Sequence, residues 1–295
     1  MLDERNEMHS VIVLTSEDKP LDDERREAVL GALAPNQWKW LRRGRAMQMR
    51  FGGAPADVQL ISAREAAEVD LLFKEGEETI SPKKLLICDM DSTVIEQECI
   101  DELAEFAGFR DKVEKITESA MRGELDFEAA LRERVGLLKG LPETTMQQVF
   151  DERLKLSKGV QWLVKGMKRQ GAHCVLVSGG FVFFTERVAR AAGFDAHYGN
   201  RLGVEGGVLT GEVIEPILTK ESKLKILQHK INELAISAED VLAIGDGAND
   251  IPMLQHAGMG VAYRAKDSVK NATQFTLDYA DLETLLWAQG ISSTA

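Results

Sequence analysis

Residues Leu85–Phe106, "LLICDMDSTVIEQECIDELAEF", begin as an apolar strand and end as an amphipathic helix, with Asp89 and Asp91 at the junction. Close carboxylates repel and raise each other's pKa, so a loop gains little stability from such a pair. The chain already carries a formal net charge of −12. Either both groups are solvated, or a cation belongs between them. A strand that exits into a polar turn and then a helix is the opening unit of an α/β fold.

Outward from that unit, apolar strands recur at "KLLICD" (84–89), "HCVLVS" (173–178), "DVLAIGD" (240–246), "GVAY" (260–263) and "QFTL" (274–277), with helices between most of them. The alternation predicts an α/β, Rossmann-like, doubly wound parallel sheet. Residues 90–172 show helical periodicity and no strand signal, which predicts a helical cap inserted after the first core strand, near 94–157. "RLGVEGGVLTGEV" (201–213) reads as a β-hairpin turning at Glu205-Gly206-Gly207.

Residues 1–80 read as a smaller α+β unit. Strand "SVIVLTS" (10–16), helix "DDERREAVLGAL" (22–33), two strands around Gly44, a helical 55–69 and a strand "VDLLFKE" give the order βαββαβ. That order resembles the ACT and ferredoxin-like modules, which often carry regulatory or pairing roles; the resemblance leaves a homodimer open. "KEGEETISPKK" (74–84) is the linker candidate, so the expected division is 1–80 and 81–295, with a chain starting near Ile80 able to fold alone.

At 295 residues, 44% hydrophobic and 28% charged, the chain has an ordinary globular profile. Its pI near 5.1 argues against nucleic acid or an anionic membrane as partner. The three cysteines, Cys88, Cys99 and Cys174, lie in apolar segments and suit buried thiols in a reducing cytosol. No signal-peptide layout and no apolar run of membrane length is present, so a cytoplasmic location is expected.

In an open parallel sheet, ligands bind beyond the carboxyl ends of the strands near the switch point. The three most polar, glycine-rich junctions here are all such exits: "DMDST", "SGG" and "GDGAND". Asp89, Asp91 and Asp246 offer the oxygen ligands that Mg²⁺ prefers; a solvated turn capping the next helix is the open alternative. "SGG" supplies a hydroxyl and unobstructed N–H groups suited to phosphate oxygens. Lys220, Lys223 and Lys225 open a helix in "LTKESKLKILQ", and spacing alone selects none of them.

Taken in order, these segments resemble the haloacid dehalogenase superfamily over about 84–290. "DMDSTVIEQECIDELAEFAG", "AMRGELDFEAALRERVGLLKGLP", "VSGGF" and "AIGDGANDIPML" are closest to its phosphoserine phosphatase family. The resemblance implies Mg²⁺-dependent hydrolysis of O-phosphoserine, the last step of serine synthesis. It makes Asp89 the nucleophile and Asp91 the acid and base. Asp89, the Asp91 carbonyl and Asp246 become metal ligands, and Ser178, Gly179 and Lys223 the phosphoryl grip. Asn249 would line the phosphate site, and Asp250 would orient metal waters or the lysine from behind. Met121 and Phe127, core residues by spacing, would wall the substrate pocket. Glu98 would accept the substrate ammonium and Arg134 bind its carboxylate.

For Arg134 the pattern agrees. It lies in the apolar stripe of Phe127, Ala130, Leu131, Val135 and Leu138, whereas Arg132 and Glu133 point away. By pattern alone such an arginine snorkels to solvent or meets a carboxylate, and the resemblance selects the second. Two rivals stand beside this reading. One is action on a related amino-alcohol phosphate such as phosphohomoserine. The other is a non-catalytic amino-acid sensor, which would need a missing catalytic residue.

Overall fold

The computed structural model describes residues 8–76, 80–121 and 126–291, without the side chains of 114, 117–121, 127 and 220. The first elements are β1 (His9–Leu14), α1 (Asp23–Leu33), β2 (Gln37–Arg42), β3 (Ala46–Phe51), α2 (Asp57–Ala67) and β4 (Asp70–Glu75). They form an antiparallel sheet in the order β2-β3-β1-β4, a ferredoxin-like topology. All six residues of β1 are buried. Successive side chains of a strand point to opposite faces. Val11 and Val13 therefore join Val29, Leu33 and Ala63 in a core beneath α1 and α2. Ile12 and Leu14 enter the main core of the molecule on the other face.

The remaining elements are β5 (Leu85–Cys88), α3 (Cys99–Phe106), α4 (Arg110–Met121), α5 (Phe127–Gly136), α6 (Thr144–Glu152), α7 (Val160–Arg169), β6 (His173–Phe181), α8 (Val182–Ala192), β7 (Ala196–Glu205), β8 (Val208–Ile214), α9 (Lys220–Glu233), β9 (Val241–Gly245), α10 (Ile251–His256), β10 (Met259–Tyr263), α11 (Asp267–Lys270), β11 (Phe275–Leu277) and α12 (Thr284–Ala288). The sheet runs β11-β10-β9-β5-β6-β7-β8. β5 and β9 are buried throughout, as expected of strands covered by helices on both faces. The chain extends one way from β5 through β6 and β7, and the other way through β9, β10 and β11. The switch point therefore lies at the carboxyl end of β5.

One feature departs from the sequence expectation. β7 begins at Ala196 and pairs parallel with β6, while β8 adds an antiparallel edge. The hairpin is thus an extension of the sheet, and the sheet is not wholly parallel. Residues 196–199, "AHYG", are half-buried, Asn200 is buried, and the stretch carries no apolar run, so no strand signal marks it.

α3 to α6 form the inserted cap, and α7 returns the chain to the sheet. α7 buries Val160, Leu163, Val164 and Met167, an i, i+3, i+4, i+7 stripe. Gly166 lets it approach α12, since a Cβ there would lie 2.6 Å from a Leu286 methyl.

The small sheet is fixed to the end of the chain. Asp70, fully buried, accepts hydrogen bonds from the N–H groups of Asp278 (2.9 Å), Tyr279 (2.9 Å) and Ala280 (2.8 Å). Arg45 pairs with Asp281 at 3.0 Å and Glu283 at 2.9 Å, over the face of Trp287. Ile12, Leu14, Ala46, Leu72 and Ile80 belong to the same buried cluster as Leu277, Leu282 and Trp287. We keep the division near residue 80 as a proposal about the chain; the core crosses it. Among the described residues, no helix is long and apolar enough to cross a membrane. All three cysteines are free and buried.

Candidate active site

β5 ends at Cys88, so the next residue, Asp89, stands at the switch point. Its Oδ1 accepts from the Met90 N–H at 2.7 Å, and its Oδ2 lies 2.9 Å from Lys223 Nζ. The exit of β9 brings Asp250, whose Oδ1 accepts from Lys223 Nζ at 2.6 Å and whose Oδ2 accepts from Gly247 N–H at 3.1 Å. Lys223 is only 2% exposed and is held between these two carboxylates. Burial alone would lower its pKa, but Asp250 and Asp89 outweigh burial and raise it above the ordinary lysine value, so the ammonium stays charged. Asp89 is raised well above the carboxylate range by burial and then by Asp250, against the pull of Lys223.

The turn after Asp89 places Ser92 in the left-handed region, at φ 54 and ψ 5. The Asp91 carboxylate faces β6. Asp91 Oδ2 accepts from Ser178 Oγ at 2.9 Å, and Oδ1 accepts from the Cys99 N–H at 2.8 Å. Gly180 follows closely. A Cβ there would stand 2.7 Å from Asp91 Oδ2, so only glycine fits without displacement. Thr93 Oγ1 donates to Asp246 Oδ1 at 2.9 Å. Burial and then Asp250 raise Asp246 to about 6.

One carboxylate oxygen from each of Asp89, Asp246 and Asp250 lies within 4.8 Å of the other two. Hard oxygen donors grouped this closely, two of them held above their usual pKa, fit a divalent cation. The Asp91 carboxylate is outside this cluster, occupied by Ser178 and Cys99.

A cavity of about 550 Å³ opens over these groups. Asp89, Asp91, Ser178, Gly179, Asp246 and Asn249 form its floor, while Glu98, Ile100, Leu131 and Arg134 come from the cap. Glu98 accepts from Ser92 Oγ at 2.7 Å. Enclosure by the cleft, then the Asp91 charge, raise its carboxyl to about 8, although the side chain is exposed to the open cavity. Arg134 is half-buried and donates from Nε to Ala130 O at 3.2 Å. Burial lowers its pKa against the opposing charges of Asp101, Glu98 and Asp91. Arg132 instead points outward, 44% exposed, to Glu128 and Glu215.

Of the residues singled out from sequence, Asp89, Asp91, Glu98, Arg134, Ser178, Gly179, Asp246 and Asn249 line one cavity. Lys223 and Asp250 stand directly behind its floor. The side chains of Met121 and Phe127 lie outside the described residues. Lys225 is exposed, and no side chain is described for Lys220. Sequence reasoning assigned nothing to Thr93, Gly180, Lys266 or Ser268, of which all but Thr93 line the cavity. Thr93 could have been suspected from its place in "DMDST"; Lys266 and Ser268 carry no local signal.

The profile of the haloacid dehalogenase-like hydrolases matches residues 86–255. The phosphoserine phosphatase of Archaeoglobus fulgidus is 41% identical over 229 residues, 77% of this chain and 66% of the relative, so just under two thirds of that relative is spanned. A family hydrolase from Salmonella enterica serovar Typhi superposes with a TM-score of 0.82 at 29% identity, covering 95% of this chain and 98% of that one. A phosphoserine phosphatase carrying an analogue of its phospho-aspartyl intermediate superposes with a TM-score of 0.65 at 38% identity, covering 70% and 98%.

Proposed function

The chain belongs to the haloacid dehalogenase-like hydrolase family, and from that premise we propose that it hydrolyses O-phosphoserine to serine and phosphate with Mg²⁺ as cofactor. The observation that carries the reading is a pair of contacts at the switch point. Asp89 is held on Lys223, and Asp91 on Ser178. One carboxylate is thereby poised to attack and the other to move protons. The cavity above them has a carboxylate, Glu98, and a cation, Arg134, on the cap side. These complement the ammonium and carboxylate of an amino-acid phosphate.

An Asp89 oxygen attacks phosphorus and the bond to the serine oxygen breaks. Asp91 gives its proton to that leaving oxygen, then takes one from the water that attacks the aspartyl-phosphate, which returns Asp89 and releases phosphate. Ser178, Gly179 N–H and Lys223 grip the phosphoryl oxygens. Asn249 lines their site, and Asp250 fixes Lys223. When bound by Asp89, Asp246 and the Asp91 carbonyl, Mg²⁺ would supply positive charge that keeps Asp89 ionised and offsets the phosphoryl charge.

Phosphate release from L-phosphoserine, measured with Mg²⁺ and again with excess EDTA, tests this. Turnover with Mg²⁺ that EDTA abolishes is expected. Turnover that EDTA leaves intact removes the metal from the account, and no turnover with Mg²⁺ removes the substrate.

A further inference from the structure

We infer that Asn200, which lies outside the motifs singled out from sequence, is a positioning residue for the groups that grip phosphate; the inference rests on the hydrolase reading of the site. Its origin is an irregularity between β6 and β7. Val177 pairs with Tyr198 and Phe181 with Asn200, so Ser178, Gly179 and Gly180 lie opposite the single residue Gly199. The extra residues bow β6 outward into the cavity and break the ladder. A carbonyl freed in this way inside the protein needs another partner.

Asn200 provides it. Its side chain is 1% exposed, and Nδ2 donates to Gly179 O at 2.7 Å. Gly179 C=O and Gly180 N–H are two ends of one planar peptide, and the N–H donates to Ser178 Oγ at 2.7 Å. Ser178 Oγ in turn donates to Asp91 Oδ2. A continuous chain of hydrogen bonds therefore runs from Asn200 through the 179–180 peptide and Ser178 to Asp91.

The other end of the amide faces the start of the lysine-bearing helix α9. Asn200 Oδ1 accepts from Leu218 N–H at 2.7 Å, one residue before Thr219, the N-cap of α9. Lys223 stands in the first turn of that helix. One donor and one acceptor thus fix the amide's orientation, and one side chain sets both the bowed strand and the start of the lysine helix. Asn200 lies beneath the site and outside the cavity lining, so its effect passes through Gly179, Ser178 and Leu218.

The test uses the full chain with Mg²⁺. Asn200→Ala removes both hydrogen bonds, whereas Asn200→Asp keeps the shape and the acceptor for Leu218 and removes the donor to Gly179. Asn200→Ala should lower kcat for phosphoserine by about 10- to 100-fold, the scale of a small misplacement of catalytic groups. Inhibition by inorganic phosphate should weaken, while inhibition by L-serine, which uses only the cap end, should stay within about twofold. In a Ser178→Ala background the same substitution should cost less than about threefold, because the relay is already broken. A purely structural role would weaken serine and phosphate alike and would give multiplicative losses in the double variant; either result overturns the inference. If Asn200→Ala does not fold, Asn200→Asp carries the same comparisons. If the wild type leaves phosphoserine intact, the substrate reading has failed by itself. Calorimetric binding of inorganic phosphate then reads the clamp: weaker binding by Asn200→Asp upholds it, and unchanged binding overturns it.

Discussion

Arg134 and Glu98 are where single residues set specificity in this account. If Arg134 holds the substrate carboxylate, Arg134→Ala should cost phosphoserine on the order of 2–5 kcal/mol in kcat/KM, because a buried charge loses its partner. Phosphoethanolamine, which lacks that carboxylate, should be affected far less. Arg132→Ala, on the exposed side of the same helix, is the control. Steady-state kinetics with both substrates decide it, and equal losses would make Arg134 a structural residue. Glu98 allows a test by pH. Its folded pKa is raised to about 8, so the neutral form is favoured in the metal-free protein. Its contribution to stability is complete below the ordinary carboxylate range near pH 4 and is lost as pH rises through 8. Glu98→Gln should therefore match wild type in Tm at pH 4 and exceed it at pH 9, in thermal melts without metal. Equal Tm values at both pH values would show that the cleft does not strain this carboxyl. These residues were unequally legible. Asp89, Asp91 and Asp246 stand out because strand exits can be read from apolar runs. Arg134 stands out because it interrupts a stripe. Lys223 and Glu98 sit among like residues. Lys223 is distinguished by burial against Asp89 and Asp250, far along the chain, and Glu98 by the cavity it lines; spacing encodes neither, so only the family resemblance selected them.

At the scale of elements, the five core strands with continuous apolar runs were legible, and so was the βαββαβ order of the first 80 residues. Less legible was how elements end and meet. "VSGGF" reads as a simple exit, yet β6 continues through it to Phe181 and bows outward. The start of β7 lacks an apolar run because Ala196 to Gly199 are only half-buried on both faces. The junction of β4 with the segment after β11 is likewise invisible, since its polar part rests on one aspartate. Asp70 satisfies three backbone N–H groups, and unsatisfied buried groups cost about 1–3 kcal/mol each. Asp70→Ala should lower the unfolding free energy by roughly 3 kcal/mol, read from urea denaturation, with the phosphate chemistry kept. A loss within ~0.5 kcal/mol, the range of ordinary surface substitutions, would show that these groups find other partners.

For the whole molecule, the sequence divides near residue 80, but burial does not. Ile12, Leu14 and Leu72 share a core with Leu277, Leu282 and Trp287. That residues 81–295 fold alone remains a proposal, and the shared core gives it a test. The shortened chain should expose that apolar face and show a lower Tm and self-association by light scattering. A monomer with unchanged Tm would return the two parts to independence. The molecule's acidity, −12 overall, also gives its buried cations their meaning. In the proposed function a dianionic substrate enters against the global field, and Lys223, locked between Asp89 and Asp250, and Arg134 would supply the local charge it needs. In the proposed reaction an Asp89 oxygen takes the phosphoryl group. The direct measurement is acid-quenched turnover of ³²P-labelled phosphoserine with Mg²⁺, followed by peptide mapping. The account predicts acid-stable, base-labile label on the peptide containing Asp89, absent in Asp89→Asn. Steady turnover with no protein-bound label, or with label on another residue, would contradict it.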